Sequence, residues 1–173
     1  MLRLPVLLAL ATTGVIAVTG ASAAWAGLAG AAEDGAASSS LVEDFSYPGA
    51  ARIEASRGIK LLKGDGHIVL QDCGSDPDVP PRELILVQTS EPGTPAETNF
   101  CFRATGSSGF LTMEIGSVYF IRGEQDRTID ATIKVDEVGA PAAETEQVDP
   151  GEWQPVGIGE GRGPATLLEL RFP

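Results

Sequence analysis

Hydrophobic and polar residues alternate most regularly near the middle of the C-terminal half. Every second residue from Ile129 to Val135 is apolar, and the residues between them are polar. A period of two is typical of a strand with one buried face and one solvated face. Residues 127–135 are therefore predicted to form a half-buried strand.

Shorter apolar runs, separated by Gly, Pro, Asp and Ser, follow one another from Ile59 to the C-terminus. This punctuation is typical of consecutive strands and turns. Residues 64–66 and 106–109 carry hairpin signals, because such turns need residues that tolerate a positive φ. Residues 84–87 are all apolar, so their strand is predicted to lie centrally in a sheet. The predicted strands are 59–63, 67–73, 82–88, 99–105, 110–115, 117–122, 127–135 and 165–172, with weaker patterns at 144–148 and 153–156.

About eight or nine strands at short spacing, with no long amphipathic helix, predict an all-β domain. The favoured architecture is an antiparallel β-sandwich, jelly-roll-like or immunoglobulin-like, and a β-barrel is the alternative. One short N-terminal helix is predicted between Pro48, which suits a first helical turn, and Gly58, which suits a C-cap.

The N-terminus is organised like a secretory signal peptide. Arg3 gives a basic start, an apolar stretch runs from Leu4 to about Val18, and small-residue cleavage patterns end at Ala23 and Ala26. The alternative is an uncleaved membrane anchor, which would need about 20 continuous apolar residues. We expect cleavage and secretion, with no stable membrane insertion afterwards.

Three segments follow from this organisation: a signal peptide (1–26), a leader (27–40) and a single β domain (41–173). The leader is almost entirely Ala, Gly and Ser. It is predicted to be flexible, because this composition cannot bury enough apolar surface to offset the entropy of ordering.

The net negative charge of the chain makes some classes of binding partner unfavourable. The chain has a formal net charge of −12, and loss of the signal peptide removes one basic residue and no acidic one, which leaves −13. Nucleic acid and anionic membranes are disfavoured as partners on electrostatic grounds. The same charge favours a monomer.

Cys73 and Cys101 are the two cysteines. An exported chain meets an oxidising compartment, so a disulfide is predicted between them. The alternatives are weak, because a lone cysteine pair without histidine ligands is a poor zinc site and no Cys-x-x-Cys motif occurs.

Two ligand-binding candidates arise from residue type and spacing. Asp72, Asp76 and Asp78 place carboxylates close together after a strand, which could suit calcium, although Asp-Pro pairs are also ordinary turn formers. Trp153 is the single tryptophan outside the predicted signal peptide. It is a candidate for stacking against a ligand such as a glycan, and packing at a sheet edge is its alternative role.

Most of the remaining aromatic residues of the predicted domain fall inside predicted strands and are expected in the core. They include Phe100, Phe102, Phe110, Tyr119, Phe120 and Phe172.

Three stretches carry a resemblance. Residues 57–68, 153–156 and 165–171, in a chain rich in Ala and Gly with more Arg than Lys, resemble small exported actinomycete proteins of unknown function. The resemblance covers roughly residues 41–172. It includes no catalytic motif, so it assigns no functional residue.

The sequence therefore leaves three function classes. The favoured one is a secreted, non-enzymatic binding or interaction module for an extracellular partner or glycan. The alternatives are an envelope-associated structural protein without a dedicated ligand, and a hydrolase built on carboxylates, which would need a carboxyl group of raised pKa in a cleft.

Overall fold

The computed structural model describes residues 44–76, 79–91 and 98–173. The predicted signal peptide and leader lie outside these residues. Nine strands and one α-helix make the described part predominantly β and antiparallel, as predicted. The elements are α1 (Ala50–Arg57), β1 (Lys60–Gly64), β2 (Ile68–Gln71), β3 (Ile85–Thr89), β4 (Asn99–Ala104), β5 (Gly109–Arg122), β6 (Ile129–Val135), β7 (Glu144–Val148), β8 (Trp153–Pro155) and β9 (Ala165–Phe172), with a short 3-10 helix at Gly157–Glu160.

The helix forms where its end signals predict it. Gly49 and Gly58 flank α1 with φ of 72° and 71°, a conformation that glycine adopts without steric cost. The Gly58 amide donates to the Glu54 carbonyl and so closes the last turn. Pro48 precedes the N-cap residue rather than opening the first turn. No described helix has the length and apolarity that crossing a membrane requires.

The long strand β5 organises the sheet. Its N-terminal half pairs with β1 on one side and β9 on the other, and its C-terminal half pairs with β3 and β8. The path through the sheet runs β2-β4-β3-β5-β9-β6-β7, and it is open rather than closed into a barrel. Two layers therefore share β5: β2-β4-β3-β5-β8 and β1-β5-β9-β6-β7.

The inner faces of the two layers pack into one hydrophobic core. The core contains Val87 and Phe102 from the first layer and Ile133 and Leu170 from the second. The alternation predicted for β6 is confirmed, because its buried residues are the four that the pattern places on one face, namely Ile129, Ala131, Ile133 and Val135.

Both predicted hairpins are wrong. β1 and β2 flank residues 64–66 but pair with β5 and β4 respectively. The Asp65 carboxylate explains the geometry, because it accepts hydrogen bonds from the amides of His67 (3.0 Å) and Phe110 (3.2 Å). The turn is thereby fixed against β5, and the chain passes from one layer to the other.

The connection from β4 to β5 behaves in the same way. β4 and β5 do not pair with each other. β4 pairs with β2 and β3, and β3 lies between β4 and β5. Residues 106–109 therefore also join the two layers, and a glycine-rich turn alone does not distinguish a hairpin from such a crossing.

The break predicted at Gly116 is also wrong, since β5 continues from Gly109 to Arg122. Its register shifts between Ile115 and Val118, and Ser117 has a φ of 56°. A bulge of this kind moves the following side chains relative to the faces of the sheet. The loss of alternation in the sequence therefore marks an irregularity within one strand.

The central position predicted for β3 is confirmed. It lies between β4 and β5, with Ile85 and Val87 in the main core. Leu86 points to the opposite face and packs in a second, smaller cluster with Leu84 and Cys101. Because both faces are covered, every position of this run is apolar.

The predicted disulfide is confirmed. Cys73 and Cys101 are bonded, with their Cα atoms 5.2 Å apart. Cys73 lies two residues beyond the end of β2 rather than within it, and Cys101 lies in β4. The bond packs against Leu84 and Leu86 in the second cluster, so it holds the segment after β2 on the outer face of the sheet.

Candidate functional site

The register of four strands brings a set of side chains together on the outer face of the first layer. Leu86 of β3 lies opposite Arg122 of β5, and Arg122 lies opposite Trp153 of β8. Residues that face each other in an antiparallel pair have side chains close enough to interact. One row across the sheet therefore runs Leu86, Arg122, Trp153.

A second row lies beside the first. Asn99 of β4 is opposite Gln88 of β3, and Gln88 is opposite Phe120 of β5. The Gln88 side-chain amide donates to the Asn99 side-chain oxygen at 3.1 Å. We call the two rows together the tryptophan face; it comprises Leu86, Gln88, Asn99, Phe120, Arg122 and Trp153.

Three aromatic side chains form a row in which each ring contacts the next: Trp153, Phe120 and Tyr119. Trp153 is 47 % exposed. Its ring meets Phe120 edge-on at 6.0 Å, and Phe120 meets Tyr119 at 5.2 Å. Tyr119 and Phe120 are half-buried and lie outside the main core cluster. Their predicted core position is therefore wrong, since in this part of β5 it is Val118 and Ile121 that enter the core.

Arg122 lies beneath this surface and is only 9 % exposed. Its guanidinium donates to the carbonyl oxygens of Pro80, Pro81 and Leu84, the shortest contact being 2.7 Å to Pro81. These bonds hold the loop before β3 against the sheet. The guanidinium carbon also lies 5.7 Å from the centre of the Trp153 ring, within cation–π range.

The charge of Arg122 is desolvated. Burial lowers the pKa of its guanidinium, the neighbouring charge of Arg82 lowers it further, and Glu83 acts in the opposite direction. An arginine stays protonated despite such a shift. Its Nε atom is buried without a hydrogen-bond partner among the described residues. The face therefore contains a fixed positive charge.

Two surface cavities meet at Trp153, Arg82 and Arg122. One, of about 600 Å³, also borders Gln125 and the carboxylates Asp126 and Glu152. The other, of about 520 Å³, extends over Gln88, Asn99 and Tyr119. Both cavities are lined mainly by polar groups, and their size is that of a small-ligand site. Within them, an exposed aromatic ring lies beside amide and guanidinium groups.

The calcium candidate is not assembled by the described residues. The Asp72 carboxylate accepts a hydrogen bond from the Gly74 amide at 2.7 Å, a turn-forming contact. Asp76 is exposed, and Asp78 lies outside the described residues. Within the part of the chain that the structure describes, no group of three or more His, Cys, Asp or Glu could hold a metal ion.

A carboxylate cluster does occur at another place, between β7 and the 3-10 helix. Arg162 forms ion pairs with Glu137, Glu144 and Glu160. Burial, followed by the charges of Glu160 and Glu144, raises the pKa of the Glu146 carboxyl, and Arg162 opposes this.

The register assigns this cluster a structural role. Glu144 and Glu146 lie opposite Ile133 and Ala131 of β6, so they occupy the inward side of the end strand β7. Inward-pointing charges are a device that prevents edge-to-edge association of sheets. The cavities at Trp153 do not include Glu146, so the raised pKa does not by itself support the hydrolase alternative.

Of the described residues predicted to bind a ligand, Trp153 lies in this concave surface, whereas Asp72 and Asp76 do not line it. Sequence reasoning missed Arg122 and Arg82. The one available signal was Arg122 at the end of an apolar run, where a charged residue needs partners. Neither a protein-family model nor a curated protein sequence matches the chain.

Proposed function

We propose that this protein is an exported, non-enzymatic module that binds a saccharide on the tryptophan face. The observation that carries the proposal is the half-exposed Trp153 ring at the junction of two cavities. A sugar presents an apolar C–H face and a rim of hydroxyl groups. It therefore matches a surface in which an aromatic ring lies beside hydrogen-bonding groups.

The arrangement of the polar groups supports a saccharide over a purely apolar ligand. The side-chain amides of Gln88 and Asn99 are hydrogen-bonded to each other, and both residues line the 520 Å³ cavity together with Thr98. Together these side chains offer both donors and acceptors, as the hydroxyl groups of a sugar require.

Rigidity also supports binding. The aromatic contacts brace Trp153 through Phe120, while Arg122 and the disulfide hold the loop that borders the cavity. A surface that is already ordered loses little conformational entropy when it binds, which raises affinity.

Export rests on separate support. The N-terminal 26 residues have the organisation of a signal peptide, and a disulfide persists in an oxidising compartment. Intact-mass analysis of the protein from culture supernatant tests this part. A mature N-terminus at Gly27 or Ala24 is expected, whereas a chain that retains Met1 in the membrane fraction would contradict export.

The binding proposal is tested with a matched pair of aromatic variants. Trp153→Ala removes the ring of the tryptophan face, and Phe45→Ala removes a ring of similar exposure, 43 %, that packs against Phe110 instead. We expect Trp153→Ala to weaken glycan binding by about tenfold or more, as for a central binding residue. Phe45→Ala should bind as the wild type does. Equal loss in both variants, or none in either, would contradict the assignment.

A further inference from the structure

The charged groups at the tryptophan face have one sign within the second cavity. Among the described residues that line the 520 Å³ cavity, the charged ones are Arg82 and Arg122, and no carboxylate is present. This is unusual for a chain with 24 acidic and 12 basic residues. The composition would favour carboxylates at an arbitrary surface site, so this cavity differs in sign from the rest of the protein. It also differs from the adjoining 600 Å³ cavity, which Asp126 and Glu152 line together with the same two arginines.

The two arginines differ in what they can offer to a ligand. The terminal nitrogens of Arg122 already donate to backbone carbonyls, so this residue supplies a fixed charge rather than a reachable donor. Arg82 is exposed and lines both cavities. Its guanidinium can therefore contact a bound group directly.

We infer that the saccharide bound at the tryptophan face carries an acidic group, a carboxylate or a sulfate ester, that pairs with Arg82. This inference rests on the proposed function. A planar guanidinium can donate two parallel hydrogen bonds to such an oxyanion, and charge-assisted bonds of this kind are stronger than neutral ones. The nearby fixed charge of Arg122 favours the same sign of ligand.

The overall charge limits how many acidic groups the ligand carries. A net charge of −12 repels a polyanion, and salt screens this repulsion over about 8–10 Å at physiological ionic strength. A long chain with an acidic group on every sugar would extend beyond the cavity over the acidic surface. The site therefore suits a saccharide with one acidic group next to neutral sugars.

The experiment compares ligands that differ in this group alone. The probes are tetrasaccharides of β-glucan, α-glucan, mannan and xylan types, each in neutral form, with one uronic acid and with one sulfate ester. An acidic peptide of the same charge is the non-saccharide probe. Binding is measured by calorimetry to the wild type, Arg82→Gln and the control Lys134→Gln, which removes one exposed positive charge from β6.

We expect an acidic tetrasaccharide to bind the wild type about tenfold or more tightly than its neutral form. Arg82→Gln should abolish this preference without changing the affinity for the neutral form, and Lys134→Gln should keep the preference. The uronate and sulfate arms identify which oxyanion is bound.

Each contrary result has a distinct meaning. Equal binding of neutral and acidic forms, unchanged by Arg82→Gln, would overturn the inference and leave the proposed function in place. Equal or tighter binding of the acidic peptide would overturn the choice of a saccharide. Binding of no saccharide in any form would overturn both proposals.

Discussion

The outer faces of the two layers differ in the partners of their charged side chains. On the second layer, Lys60 of β1 pairs with Glu114 of β5 at 2.9 Å, and Arg171 pairs with Glu169 on β9 at 2.9 Å. We call this surface, comprising Lys60, Glu114, Thr132, Glu169 and Arg171, the ion-pair face. On the tryptophan face, Arg122 donates to carbonyl oxygens and lies near another cation, Arg82.

This difference agrees with the proposal that the ion-pair face is a solvated surface and the tryptophan face a binding surface. Exposed ion pairs contribute little to stability and keep a sheet face soluble. A buried cation costs more, and it persists only where several acceptors hold it. Departures from simple pairing of charges are expected at functional sites, and among the described residues Arg122 on the tryptophan face is one such departure.

The largest expected effect tests the two sides of β6. Ile133 is fully buried, whereas Thr132 lies on the ion-pair face and its hydroxyl is 3.2 Å from that of Thr145. Ile133→Asp should destabilise the fold by about 4 kcal/mol, because an unpaired charge is buried. Thr132→Asp should cost about 1 kcal/mol or less. Denaturant titrations measure both, and equal midpoints would contradict the register that separates the faces.

The next largest effect is expected from the disulfide. Among the described residues, this bond belongs to the layer with the tryptophan face, and the other layer has none. Replacing both Cys73 and Cys101 by Ala should lower the free energy of unfolding by about 3.5 kcal/mol, because a closed loop of this length restricts the unfolded chain. Alanine avoids placing a polar group at the buried Cys101. Reduction of the wild type is the control, and an unchanged denaturation midpoint in both experiments would show that the bond does not stabilise the fold.

Arg122 and Arg171 give a direct comparison of the faces. Arg122→Met should destabilise by about 2–3 kcal/mol, since buried carbonyl acceptors of the loop lose their donors. Arg171→Met removes an exposed arginine that pairs with one carboxylate and lies 5.1 Å from the centre of the Phe110 ring, and it should cost about 1 kcal/mol or less. Thermal unfolding of the two variants provides the measurement. A larger loss at Arg171 would reverse the comparison.

The smallest effect depends on pH. The raised pKa of Glu146 means that its folded form binds a proton more readily than its unfolded form. Its stabilising contribution is present below the unfolded pKa, near 4.3, and is lost as the pH rises through the higher folded value.

Glu146→Gln should therefore raise the melting temperature slightly at pH 7 and have little effect below about pH 4. The variant keeps an acceptor for the Gln154 side chain, which bonds Glu146 in the wild type. Glu144→Gln is the matched control and should lower stability at pH 7, because it weakens the ion pair with Arg162. A stability gain that grows toward low pH for Glu146→Gln would contradict the sign.

Local pattern predicted the strands better than their partners. The alternation in β6 and the apolar run of β3 specify burial residue by residue, and both predictions are confirmed. The turns at Gly64 and Gly106 were misassigned, because tolerance of positive φ indicates a change of direction and not which strand lies alongside. Pairing in this fold is mostly non-local, with β5 contacting strands that lie before and after it along the chain.

The site was only partly predictable for the same reason. Trp153 is visible in the sequence as a single tryptophan, but its neighbours are set by register. Phe120 and Arg122 lie beside it because their positions on β5 pair with β8, while Ile121 between them enters the core. Without the pairing of β5 with β8, nothing in the sequence places Arg122 beside Trp153.

The central claim is that the tryptophan face, and not the ion-pair face, binds the ligand. A titration of ¹⁵N-labelled protein with the tightest-binding tetrasaccharide, followed by two-dimensional NMR, measures both faces in one sample. Binding at the tryptophan face should give saturable shifts of the Trp153 indole N–H and of the Gln88 and Asn99 side-chain amides, with the Thr132 and Glu169 backbone amides unmoved. Shifts confined to Thr132 and Glu169, or saturable binding that leaves the Trp153 indole unchanged, would contradict it.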